Sequence, residues 1–66
     1  MNTSYGDFQN WASRNSWFSI LTYEDTYYDP TIDESQPCSK TKYLTPTGRI
    51  VTVKHTVSNI LAVKTE

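Results

Sequence analysis

Cysteine is nearly absent from this 66-residue chain, and its one thiol, Cys38, cannot close a disulfide within the chain. Cys38 and the only histidine, His55, are too few to supply the four ligands of a structural zinc site. Both devices that commonly stabilise very small domains are therefore excluded. A lone thiol is typical of a reducing compartment, which predicts a cytoplasmic protein.

Glycine and long apolar runs are scarce as well. Only Gly6 and Gly48 are present, which argues against a glycine-rich phosphate loop and against a calcium loop of the EF-hand type. No apolar run approaches the roughly 18 residues of a membrane-spanning helix, and the first residues lack the basic and apolar regions of a signal peptide. Nucleotide hydrolysis, calcium binding and membrane insertion are therefore not expected.

Aromatic residues are plentiful by comparison. Five tyrosines, two tryptophans and two phenylalanines can each bury about 150–250 Å², which is enough for one compact domain over residues 1–66. The predicted core consists of Phe8, Trp11, Leu21, Leu44, Val51, Val53 and Leu61. Because this core is small, a homodimer that buries further aromatic surface is a second expectation.

Apolar residues between Ser4 and Ser16 recur at helical spacing, and the placement of Ser4 three residues before Asp7 resembles a helix cap. Aromatic and β-branched residues favour a strand over residues 17–24. Residues 25–40 contain two prolines and no apolar period, which predicts an irregular loop.

The C-terminal part shows a clear β pattern. Pro46 and Gly48 predict the turn of a β-hairpin, and a second turn at residues 58–59 precedes a final apolar strand at residues 60–63. The period of two places Val51, Val53, His55 and Val57 on one face of the second hairpin strand. The predicted fold class is α+β, with one short N-terminal helix on a three- to four-stranded antiparallel sheet that contains this hairpin.

Charge divides the chain near Pro37. Residues 1–37 carry six acids and one arginine, a balance of −5, whereas residues 38–66 carry five cations and one glutamate, a balance of +4. Either the two halves pair on the folded surface, or one of them is an interaction surface.

Acids alternate with tyrosines in one segment, which predicts an acidic, tyrosine-rich face that docks on a host protein with a basic surface, such as one that handles nucleic acid. The residues of this predicted docking face are Tyr23, Glu24, Asp25, Tyr27, Tyr28, Asp29, Asp33 and Glu34. A short, motif-free, acid-skewed chain is typical of the accessory proteins of phages and mobile elements, which act as inhibitors or regulators without enzymatic activity.

The alternative hypothesis is a small nucleic-acid-binding module with a basic sheet face, in which Tyr43 stacks on a base. Its basic stripe consists of Lys40, Lys42, Arg49, Lys54 and Lys64, of which Lys40, Lys42, Arg49 and Lys54 are the predicted phosphate-binding residues. A sequence pI of about 5.7 argues against it. Catalysis would rest on His55 and Cys38 alone, with no motif to join them, so neither an enzyme, nor a cofactor, nor a metal site is predicted.

Overall fold

The structure is a computed structural model that describes residues 4–66. Its elements are α1 (Tyr5–Arg14), β1 (Phe18–Asp29), β2 (Glu34–Leu44), β3 (Ile50–His55) and β4 (Ile60–Thr65). The four strands form one antiparallel sheet in the order β1-β2-β3-β4, and α1 packs on one side of it. The predicted α+β class is confirmed. No helix of this part of the chain is long and apolar enough to cross a membrane.

The helix begins where the sequence predicts. Ser4 has an extended backbone, and its hydroxyl accepts a hydrogen bond from the backbone N–H of Asp7 at 3.1 Å, as expected of an N-cap. The helix ends at Arg14, after which Asn15 donates from its side-chain amide to the carbonyl of Trp11. Ser16 takes a left-handed φ of 61°, which turns the chain into β1.

The predicted C-terminal hairpin is also confirmed. The turn between β2 and β3 contains Gly48 at a φ of 83°, a conformation that glycine adopts without strain. Thr45 closes this turn, because its hydroxyl accepts from the backbone N–H of Arg49 at 3.1 Å. The predicted turn at residues 58–59 and the final strand follow as expected.

The prediction of an irregular loop over residues 25–40 is wrong. β1 continues through Asp29, β2 begins at Glu34, and only residues 30–33 form the turn. Backbone hydrogen bonds between β1 and β2 hold this segment in a hairpin. Because these bonds do not depend on side chains, they need no apolar period in the sequence.

The two prolines are compatible with this hairpin because β3 ends before it reaches Pro37. The last residue pair between β2 and β3 is Ser39 with His55, so Pro37 lies where β2 pairs with β1 alone. A missing N–H is tolerated at such an edge position. Pro30 lies in the turn and interrupts no pairing.

The predicted core is only partly correct. Val51 and Val53 are buried and Phe8 packs against the core, but the other members are exposed: Trp11, Leu21, Leu44 and Leu61. Val57, predicted to share the valine face, lies beyond β3 and is 98% exposed. The observed core consists of Tyr5, Ala12, Tyr43, Val51 and Val53, with Phe8, Trp17 and Ile60 packed against it.

The helix covers one side of the sheet only, which explains why Leu21 and Leu44 are exposed. Tyr43, Val51 and Val53 point to the side of the sheet that carries α1, here called the helix face. Leu21 and Leu44 belong to the opposite side, here called the open face, because side chains alternate along a strand. The exposed apolar surface that a homodimer would bury is therefore present, and the homodimer stays a prediction.

A buried polar cluster joins the helix to the sheet. The ring of Tyr5 stacks on His55 with centroids 3.5 Å apart and planes only 6° from parallel. The Tyr5 hydroxyl lies 2.7 Å from that of Tyr43 and 3.4 Å from Oγ1 of Thr41, whose hydroxyl lies 2.8 Å from His55 Nε2. All four side chains are buried.

One direction of donation satisfies the whole cluster. His55 Nδ1 lies 3.0 Å from the carbonyl of Thr56, which can only accept, so in the neutral imidazole Nδ1 carries the proton and Nε2 accepts from Thr41. The Thr41 oxygen then accepts from Tyr5, and Tyr5 accepts from Tyr43. Burial, and then this hydrogen bond, raise the pKa of Tyr43 above its ordinary value.

We predict that Thr41→Val destabilises the protein by about 1–3 kcal/mol, because it leaves the buried His55 Nε2 without a donor. Thr52→Val is the matched control: the Oγ1 of Thr52 is buried and, among the described residues, has no hydrogen-bond partner. Replacing that hydroxyl by a methyl should be neutral or stabilising. Urea unfolding followed by circular dichroism measures both, and equal losses would contradict the role given to Thr41.

Candidate docking site

The hairpin of β1 and β2 projects beyond the rest of the sheet. Residues 25–38, here called the arm, form five residue pairs that have no neighbour in β3. At about 3.4 Å per residue the paired part of the arm is about 17 Å long. The molecule is correspondingly elongated, measuring 39 × 22 × 15 Å.

Side-chain hydrogen bonds order the turn at the end of the arm. Oδ1 of Asp29 accepts from the backbone N–H of Thr31 at 3.0 Å and from its hydroxyl at 2.6 Å. This is the arrangement by which aspartate stabilises a turn two residues ahead. The sequence Asp29-Pro30-Thr31 therefore specifies a turn of defined conformation.

The side chain of Tyr28 is hydrogen-bonded to a residue on the other strand-side of the same turn, Asp33. Its hydroxyl donates to Oδ1 of Asp33, a residue that takes a left-handed φ of 53°. This hydrogen bond raises the pKa of Tyr28 above its ordinary value. Tyr28 nevertheless stays 58% exposed, and Ile32 in the turn is 52% exposed. The turn thus presents apolar surface among carboxylates.

The arm brings five of the eight predicted docking residues together near its turn: Tyr27, Tyr28, Asp29, Asp33 and Glu34. The other three lie towards the body of the protein. Tyr23 and Asp25 are on the open face opposite Lys40 and Cys38, and Glu24 alternates to the helix face. Tyr28 is on the helix face as well, so the arm carries predicted docking residues on both of its sides.

Asp25 is an ion-pair partner within the fold. Its Oδ2 lies 3.2 Å from Nζ of Lys40 and 3.8 Å from Nζ of Lys54. The backbone N–H of Thr26, and then Lys40, hold the pKa of Asp25 below its ordinary value of 3.8, and Asp25 in turn raises the pKa of Lys40 above 10.5. At this point the acidic and basic halves of the chain pair with each other.

The acids near the turn differ from Asp25. Within residues 4–66, no lysine or arginine lies within 4 Å of a carboxylate of Asp29, Asp33 or Glu34. The arm therefore has a negative charge that no cation of the described chain neutralises.

The basic residues lie mainly on the open face, which carries Lys40, Lys42, Lys54 and Lys64. Arg49 lies in the turn between β2 and β3, away from the other cations of the alternative hypothesis. The prediction that Tyr43 stacks on a base is wrong, because Tyr43 is 4% exposed and packs in the core beneath α1.

The two candidate catalytic groups are separated. Cys38 and Ser39 alternate along β2, and Ser39 pairs with His55, so the thiol and the imidazole point to opposite faces of the sheet. Both ring nitrogens of His55 are hydrogen-bonded within the fold. No group of three or more potential metal ligands forms among the described residues.

One residue of these surfaces escaped the sequence reasoning. Ile32 is an exposed apolar residue at the turn of the arm, and the Asp29-Pro30-Thr31 turn signal could have located it. Lys64, which the alternative hypothesis included in its basic stripe, joins the lysines of the open face through the pairing of β4 with β3.

Comparison of the chain with protein families, curated proteins and solved structures finds no match to any of them.

We predict that Asp25→Asn destabilises the protein at neutral pH and has no effect in strong acid. Because the pKa of Asp25 is lowered in the folded state, its contribution to stability is present above pH 3.8 and is lost as the pH falls through the folded value. The contribution of Lys40, whose pKa is raised, is present below pH 10.5 and is lost as the pH rises through its folded value.

Thermal unfolding of the variant and the wild type at a series of pH values tests this. Glu66→Gln is the control, because the carboxylate of Glu66 is more exposed than that of Asp25 and lies 3.9 Å from Lys42, at the limit of an ion pair. It should change stability little at any pH. A deficit of Asp25→Asn that persists unchanged in acid would assign the effect to packing rather than to charge.

Proposed function

We propose that this protein is a small, non-enzymatic interaction protein that docks through its arm on a partner with a basic surface. The observation that carries the proposal is the arm itself, in which exposed Tyr28 and Ile32 stand among carboxylates without cation partners in the described chain. Tyrosine is a frequent energetic centre of protein interfaces, and carboxylates steer a basic partner towards it.

Order in the arm supports this function. The turn is held by the bonds of Asp29 to Thr31 and of Tyr28 to Asp33, so little conformational entropy remains to be lost on binding. Side chains on both sides of the ribbon and at its turn suit insertion into a cleft. The rest of the domain then serves as the base from which the arm projects.

The chemistry of the arm favours one class of partner. A protein that handles nucleic acid has a groove lined with lysine and arginine, into which a narrow, acidic, aromatic ribbon can insert in place of the nucleic acid. We infer that the protein is a phage- or mobile-element-type inhibitor or regulator of such a host protein in the cytoplasm.

We expect the double variant Asp29→Asn and Glu34→Gln to lose its partner. Asparagine retains the oxygen that accepts from Thr31, so the turn is kept while two charges are removed. The matched control is Asp7→Asn and Glu66→Gln, which removes two acids away from the arm. Asp25 is left unchanged because of its ion pairs.

The measurement is a tagged capture from nuclease-treated lysate, with identification by mass spectrometry and confirmation with the purified partner. The wild type and the control should capture the same protein, the arm variant should lose at least about 90% of it, and 0.5 M salt should weaken capture. Ile32→Ser should weaken binding with the salt dependence unchanged. Equal capture by the arm variant and the control would refute docking through the arm.

A further inference from the structure

The open face is a second surface, and it carries the opposite charge. Two neighbouring rows of side chains cross it from β1 to β4. One row consists of Leu21, Lys42, Thr52 and Lys64, and the next consists of Tyr23, Lys40, Lys54 and Ala62. Among the described elements the only helix packs on the helix face, so no element covers these rows.

Like charges are brought together in these rows. Lys40 and Lys54 lie directly opposite each other, an arrangement that is destabilising without a counter-charge. Asp25 lies close to both and is their only acidic partner in the described chain. Lys42 has Glu66 at 3.9 Å, and no described carboxylate lies within 4 Å of Lys64. Four lysines against two acids leave this face positive.

We propose that the open face binds single-stranded nucleic acid. Charge complementarity selects a polyanion, since phosphates on the lysines relieve their mutual repulsion. An exposed ring adjoins them: Tyr23 lies opposite Lys40 and is 39% exposed, so a base can stack on it. Of the basic residues that the sequence placed in one stripe, Arg49 has no part in this site, whereas Lys64 does.

The shape of the face favours a single strand over a duplex. The helix of the described chain packs on the opposite side of the sheet, so the open face has no helix that could enter a duplex groove. The four strands span about 14 Å from β1 to β4. Along the strands, the acids of the arm begin at Asp25 and limit the binding surface to the two lysine rows. A flexible strand that crosses these rows avoids the arm.

This proposal is independent of docking through the arm, and the two proposed surfaces are compatible. Asp29 and Glu34 are six to eight residues along β1 and β2 from Tyr23 and Lys42. The double variant Asp29→Asn and Glu34→Gln should therefore bind a single strand as well as the wild type or better. Failure of one proposal leaves the other standing.

Fluorescence anisotropy with labelled 12-nucleotide oligo(dT) at about 50 mM salt tests the proposal. The wild type should bind this probe at micromolar concentration and should bind a 12-base-pair duplex more weakly. Lys42→Gln with Lys64→Gln should weaken binding at least about tenfold. Arg14→Gln with Arg49→Gln removes the same charge away from the open face and should weaken it at most about threefold.

The salt dependence of binding distinguishes the phosphate contacts from base stacking. Four phosphate contacts give a log–log salt slope of about −3, and removal of two should halve it. Tyr23→Leu should weaken binding about fivefold or more with the slope unchanged, and Tyr27→Leu on the arm should not. Circular dichroism confirms that each variant is folded.

Four results would overturn the proposal. The first is no binding at high micromolar protein, and the second is equal weakening by the lysine and arginine pairs, which would reduce the effect to net charge. The third is duplex binding as tight as that of oligo(dT), which would exclude recognition of a single strand. Binding of an acidic peptide in place of both probes would assign the face to a protein partner and would also overturn it.

Discussion

The contact on which this fold depends is the stack of Tyr5 on His55, together with the hydrogen bonds that run from Tyr43 through Tyr5 and Thr41 to the imidazole. It joins the first turn of the helix to the middle of the sheet. A chain with no disulfide and few buried aliphatic residues gains from it both apolar contact and a specific orientation. A shift of the helix by one turn would leave several buried polar atoms unpaired, which is costly.

Because the helix packs on one side of the sheet only, it determines which parts of the sheet remain exposed to solvent. The helix contacts the central strands, so the ends of β1 and β2 beyond His55 have no core to cover. Carboxylates, prolines and exposed tyrosines are tolerated there because, apart from the buried Cys38, the side chains of the ribbon are at least partly solvated. On the open face the same absence of a cover lets four lysines keep their charged groups in water while their aliphatic parts lie on the sheet.

The features of the fold that the sequence predicts are those that depend on a few neighbouring residues. The Ser4 cap, the Gly48 turn and the alternation of Val51 and Val53 are encoded within a few residues, and the structure has each of them. The arm is not encoded that way, because a ribbon solvated on both sides needs no apolar period and its two strands are specified by pairing with each other. The predicted docking residues were selected from the sequence by type, whereas the grouping of five of them around the turn depends on that register.

The division of charge along the sequence becomes a division in space because of the topology. β1 and β2 share the arm, and the lysines of β2, β3 and β4 share the open face, so β2 takes part in both surfaces. Asp25 lies where they meet and is bonded to lysines on β2 and β3. Its carboxylate offsets repulsion between those lysines without covering Lys42 or Lys64. The proposed basic partner of the arm and the proposed polyanion on the open face therefore need not compete, since the arm attracts the first and repels the second, and the lysines of the open face do the opposite.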